Sequence, residues 1–117
     1  MDTISLAELL SSYRYKYITE TDLQNGIEEV LIKSGIAYKR ELSLSTRDRP
    51  DFLIDEIAVE VKIKGTLSQL LRQITRYVSH KEVSTVLVVG TPAWLNQIPS
   101  HIDGKAIYSS RFLGSML

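Results

Sequence analysis

The stretch from residue 51 to residue 63 constrains this chain most. It reads Asp-Phe-Leu-Ile-Asp-Glu-Ile-Ala-Val-Glu-Val-Lys-Ile, an apolar and β-branched run broken in its middle by Asp55-Glu56. Such residues favour strands, and a polar pair between two runs of them falls where a hairpin turns. With a loop of two or four residues centred on that pair, Leu53 lies opposite Ala58 and Asp51 opposite Glu60. Successive side chains alternate between faces, so one face carries Phe52, Ile54, Ile57, Val59, Val61 and Ile63. The other face carries Asp51, Glu60 and Lys62. A slip of one residue in the loop would exchange the two sets, so everything built on this segment depends on its register.

Other segments supply the cover that an apolar sheet face requires. From Thr19 onward Leu23, Ile27, Val30 and Leu31 recur at helical spacing until Gly35, which predicts a first core helix. Thr66-x-x-Gln69 has the form of a capping box and is followed by Leu67, Leu70, Leu71, Ile74 and Val78 on one helical face. Residues 83–90 form a continuous apolar run suited to a strand buried on both sides, and Pro92 then admits a short helix around Trp94. Residues 36–46 alternate polar and apolar and predict strands, Pro50 holds the next segment extended, and residues 105–108 suggest a last short strand. Residues 3–16 read either as a helix through Ile4, Leu6, Leu9 and Leu10 or, toward Tyr13, Tyr15 and Tyr17, as a strand. The order of helix, three strands, helix and strand indicates an α/β fold with a mixed sheet.

The chain has 117 residues, 44% of them hydrophobic and 24% charged, which suits one domain spanning 1–117. Within it, 1–18 reads as an N-terminal extension, 19–90 as the motif-bearing core and 91–117 as a C-terminal helix and short strand. A core of this size gains from a second subunit, so a homodimer is expected. The absence of cysteine removes disulfides, thiolate metal sites and cysteine nucleophiles together. Asp2 stands where a signal peptide wants positive charge, and no run reaches the roughly 18 apolar residues of a membrane span. A soluble, cytoplasmic protein with no membrane partner is expected.

Net charge is zero, which argues against nucleic-acid binding by bulk electrostatics. The distribution says something different. Residues 19–31 hold Glu20, Asp22, Glu28 and Glu29 with no base, whereas 61–81 hold Lys62, Lys64, Arg72, Arg76 and Lys81 with no acid. Ordinary solvated helix faces would give the same strip. His80 and His101 stand alone, lack the spacing of a zinc site and read as surface residues.

Two carboxylates facing one another across a strand pair, about 5 Å apart, destabilise a sheet unless something compensates them. A hard divalent cation does so, because Mg²⁺ accepts carboxylate oxygens and keeps waters for a phosphate and a nucleophile. Lys62, two residues beyond Glu60, projects from the same face. A metal with two carboxylates and an ammonium group suits phosphodiester hydrolysis, where the cation activates water and the ammonium orients it or offsets developing charge.

Pro50-Asp51, followed nine residues later by Glu60-Val61-Lys62 at the end of an apolar strand, resembles the PD-(D/E)xK nuclease superfamily. Gln73-Ile74-Thr75-Arg76-Tyr77 matches the Gln-x-x-x-Tyr motif of its RecB-type members, and Glu20-x-x-x-Gln24 is similar to the first helix of the virus-type replication-repair nucleases. The resemblance covers residues 19–90. It implies a restriction-endonuclease-like core, Mg²⁺ or Mn²⁺ as cofactor, and DNA endonuclease activity, with RNA not excluded. Asp51, Glu60 and the Val61 carbonyl would bind the metal, aided by Glu20, while Lys62 would position the attacking water. Gln73 and Tyr77 would support the site or contact the substrate backbone, and Arg49, Arg72 and Arg76 suit phosphate contacts.

Plainer alternatives stand beside these roles. One has Glu20 serve only the dipole of a helix capped by Thr19 or Thr21, with Gln24 completing the box. Another has Gln73 and Tyr77 on a solvated helix flank with the tyrosine partly buried, and Arg49 simply solubilising a loop. For the whole chain the alternatives are an inactive nucleic-acid-binding or interaction module of the same superfamily, and an unrelated α/β interaction protein whose Glu60 and Lys62 form a surface pair.

Overall fold

The computed structural model describes residues 1–112 and the backbone of Ser115 and Met116; the remaining part of the 91–117 region lies outside the described residues. Along the chain run α1 (Thr3–Ser11), β1 (Lys16–Tyr17), α2 (Glu20–Lys33), β2 (Lys39–Arg40), β3 (Phe52–Ile54), β4 (Ile57–Lys62), α3 (Leu67–Val78) and β5 (Thr85–Gly90). A 3-10 helix (Ala93–Gln97) follows, then β6 (His101–Ile102), β7 (Lys105–Arg111) and β8 (Ser115–Met116).

The hairpin takes the register that places its apolar residues on one face. Phe52 pairs with Val59, Leu53 with Ala58 and Ile54 with Ile57. Asp55 makes the turn with φ of 52°, a left-handed conformation that Asp tolerates better than most residues. β4 and β5 run parallel, as do β5 and β7, so each pair needs a crossover; α3 makes the first. The six-stranded sheet has the order β2-β3-β4-β5-β7-β6, with antiparallel pairs at both edges, while β1 and β8 form a separate parallel pair.

Alternation along the strands divides the core into two layers. Phe52, Ile54, Ile57, Val59, Val61, Leu87 and Val89 pack with Leu6 and Leu10 of α1 and Leu23, Ile27 and Leu31 of α2. Leu53, Ala58, Val86, Val88 and Ile107 pack with Leu70, Ile74, Tyr77 and Val78 of α3. The fold is therefore α/β, with a mixed six-stranded sheet and three helices on its two faces. Among the described residues no helix is long and apolar enough to cross a membrane.

Both predicted core helices start where side chains satisfy their first N–H groups. Thr66 and Gln69 form the expected capping box of α3. In α2 the box joins Thr19 to Asp22, not to Gln24, because the side chain that reaches back to the cap belongs to the third helical position. Of residues 3–16, Thr3–Ser11 form α1, and Tyr13 and Tyr15 beyond it lead into β1. Leu6 and Leu10 are fully buried, so this segment belongs to the core.

Three expectations need correction. Of residues 36–46 only Lys39 and Arg40 pair as a strand; Glu41 takes φ of 53° and ends it, and Leu42 and Leu44 reach the core from a loop. The last strand spans Lys105–Arg111, longer than residues 105–108, because β5 gives it a five-residue parallel partner. A hairpin at Asp103-Gly104 also adds β6.

Gly90 fixes the end of β4. Its φ is 150°, and a Cβ there would overlap the carbonyl oxygen of Lys62. Only glycine lets β5 finish against that carbonyl, which also accepts the Thr91 N–H at 3.1 Å.

Candidate active site

The hairpin register places Asp51 just before β3 and Glu60 and Lys62 on β4, all on the face that α3 covers. Their positions follow from parity: they alternate with Phe52, Val59 and Val61, which face α1 and α2. The Val61 N–H donates to Asp51 Oδ2 at 2.7 Å, which ties the first carboxylate to the strand carrying the second. Glu60 is 3% exposed. Its Oε1 accepts the Tyr77 hydroxyl at 2.9 Å, and its Oε2 lies 3.3 Å from Lys62 Nζ. Gln73 Nε2 donates to the Tyr77 oxygen at 3.0 Å. A phenol has one proton, and of its two acceptors the Glu60 carboxylate is nearer than the Arg49 carbonyl at 3.3 Å.

Two carboxylates in such surroundings hold their protons strongly. Burial pushes Asp51 up to about 6; the Val61 N–H and Lys62 pull it back, and the charge of Glu20 raises it further. Burial and then the Asp51 charge push Glu60 up to about 7, against the opposing pull of Lys62 and Tyr77. Burial, followed by the charge of Glu60, lifts Tyr77 far above the usual phenol range, so its hydroxyl remains a donor. One ammonium group thus leaves the pair under-compensated. The donors are all hard oxygens, and a divalent cation fits them. Among the described residues no three His, Asp or Glu side chains stand close enough together to hold an ion by themselves. A cation here would rely on Asp51, Glu60 and a backbone carbonyl, with water or substrate oxygens completing its shell.

Beside Lys62 of this group lies a cleft of about 330 Å³ between the end of β4 and one side of α3. Lys62, Lys64, Gly65, Arg72, Gln73 and Arg76 contribute to its walls, and among the described residues no acidic one does.

The expected site residues divide into three groups. Asp51, Glu60, Lys62, Gln73 and Tyr77 converge. Tyr77, however, is 1% exposed and its hydroxyl binds Glu60, so it supports the acid and does not stand in the cleft as a substrate contact. Glu20 comes from the opposite layer and hydrogen-bonds at the end of β4, where its Oε2 accepts the Ile63 N–H at 3.3 Å, while its charge is near enough to raise Asp51. That N–H lies just past the last paired residue of β4, which is why a side chain can take it. Arg72 lines the cleft and Arg49 is exposed on its loop. Arg76 is held by an ion pair to Asp48 at 2.8 Å, which offsets the charge expected to meet a phosphate.

Asp48 is the residue that sequence reasoning missed. It is 6% exposed and receives Arg76 Nε on one oxygen and His80 Nε2, also at 2.8 Å, on the other. These partners hold its carboxyl below the usual range. His80, expected on the surface, is half-buried because it makes this contact; His101 is exposed. Asp48 and the Arg49 carbonyl together pin to α3 the loop that delivers Asp51. The sequence offered only an acid between Arg47 and Arg49, with its true partners 28 and 32 residues away.

Comparison with family models, curated proteins and solved structures finds no match.

Proposed function

We propose that this chain is a divalent-metal-dependent nuclease that hydrolyses phosphodiester bonds, with a site of the PD-(D/E)xK type on a restriction-endonuclease-like core. One observation carries the reading: Asp51 and Glu60, both with raised pKa values, share one side of the sheet with Lys62 at the mouth of a cleft lined by bases. Burying two like charges side by side weakens a fold, and such strain concentrates where charge is needed for chemistry.

Asp51, Glu60 and the Val61 carbonyl are the groups that would hold Mg²⁺ or Mn²⁺. Such an ion, when bound, supplies polarisation of the scissile phosphate and a water of lowered pKa. The protein's own groups do the rest. Tyr77 fixes the rotamer of Glu60, the Val61 N–H fixes Asp51, and Gln73 orients the Tyr77 hydroxyl. Lys62, 22% exposed at its side chain, can turn its ammonium from Glu60 toward the water or a phosphate oxygen as negative charge develops.

The test is cleavage of plasmid and branched DNA by purified protein. Turnover is expected with Mg²⁺ or Mn²⁺ and is expected to vanish with EDTA, Asp51→Ala or Lys62→Ala. Robust cleavage without metal would reject the reading, and binding without turnover on any substrate would favour an inactive module.

A further inference from the structure

We infer that the cleft beside the carboxylates is a sequence-independent subsite for the phosphodiester backbone of a nucleic-acid strand, gripped by Lys64 and Arg72. The inference rests on the nuclease proposal only in taking the neighbouring phosphate as the one cleaved.

The charge balance of the cleft points to an anion. Of its four basic residues, Lys62 is paired with Glu60 and Arg76 with Asp48. Lys64 and Arg72 have no carboxylate partner among the described residues; Arg72 Nη1 donates only to the Ser68 hydroxyl at 2.9 Å. Both of these bases are exposed and can turn into the cleft. Two uncompensated cations next to a concave wall attract a phosphate, and a guanidinium can meet it with two parallel N–H groups.

The lining also says which part of a nucleotide enters. Among the described residues no aromatic side chain lines the cleft; Trp94 sits beside its Gly65 wall with the ring N–H donating to the Gly65 carbonyl at 3.1 Å, so the lining itself offers no surface for stacking a base. Leu70 is the one aliphatic contributor among the described residues and is itself buried in the core. The polar groups present are amides and hydroxyls: the Gln69 carbonyl oxygen accepts the Thr66 N–H, which turns its NH₂ group outward as a donor. Donors and cations without base-reading partners bind backbone and not sequence. Lys62 belongs to both the cleft and the acidic site, so a strand held here runs next to the acidic site on the Lys62 side.

The experiment measures binding, apart from cleavage. Labelled oligonucleotides of two unrelated sequences are titrated with the full chain in EDTA by fluorescence anisotropy, across a range of salt. Wild type is expected to bind both sequences alike, with affinity falling as salt rises. Lys64→Ala and Arg72→Ala should each weaken binding equally on both sequences. Each should also reduce the slope of log affinity against log salt by about 0.7 on a single strand. Lys33→Ala, on the α2 face, should leave the slope unchanged, and circular dichroism checks that each variant is folded. An unaltered slope in the folded double variant would overturn the inference even if metal-dependent cleavage persists, as would absence of wild-type binding at low salt. Binding lost as stated in a protein without metal-dependent turnover would uphold the subsite and reject the nuclease proposal.

Discussion

Replacing Glu60 by Gln should make the metal-free protein more stable at pH 8. The change keeps an acceptor for the Tyr77 hydroxyl and removes a charge buried beside Asp51. Glu60 moves from an ordinary 4.5 to about 7 on folding. A carboxyl whose pKa is raised contributes a cost that is absent below 4.5, grows as pH rises toward 7 and is fully present at pH 8. At about 1.4 kcal/mol per pH unit that cost is roughly 3 kcal/mol with the pull of Lys62 already included, and the new amide NH₂, which faces the Lys62 ammonium instead of accepting from it, takes back about 1 kcal/mol. A net gain of about 2 kcal/mol follows, or a rise in Tm of roughly 5–10 °C for a chain this size. Part of it comes through Asp51, which ionises more easily once its neighbour is neutral. Urea melts in EDTA at pH 8 and pH 4 measure it: the gain should appear at pH 8 and disappear at pH 4. Added Mn²⁺ should stabilise wild type and leave Glu60→Gln unchanged. A variant less stable at pH 8, or a difference that ignores pH, would refute the electrostatic account of the site.

Two further substitutions test how the site is held. Tyr77→Phe removes a donor that favours the charged form of Glu60, so it should cost about 1–2 kcal/mol and lower Mn²⁺ affinity near neutral pH by roughly tenfold. Calorimetric titration checks this, and unchanged affinity would show that the hydroxyl does not position the acid. Gly90→Ala should cost at least about 3 kcal/mol in denaturant melts, because the new methyl meets the Lys62 backbone at an unfavourable φ. Gly104→Ala, at φ of 81° in open space, should cost only about 1–2 kcal/mol; equal losses would mean that the close approach of β5 to β4 is unimportant.

Much of the scaffold was legible because its causes are local. The hairpin register follows from alternation over residues 52–63 and a turn between them, and that register alone decides that Asp51, Glu60 and Lys62 share a face. The capping box of α3 and the apolar stripes of α2 and α3 depend on residues three and four apart. Asp103-Gly104 carried an equally local hairpin signal, with both residues at positive φ, and β6 could have been foreseen from it.

The chain's sequence by itself determined which faces are apolar, where α3 begins and which three side chains stand together on the hairpin. Only the tertiary structure decided that Tyr77 and Gln73 brace Glu60, that Glu20 accepts the Ile63 N–H, and that Arg76 is held by Asp48. Periodicity records which way a side chain points but not what it meets. These partners lie 17–43 residues apart, except for Gln73 and Tyr77 on one helix, and come together only when α2 and α3 close on opposite faces of the sheet. Their charges and hydrogen bonds become strong because that closure excludes water.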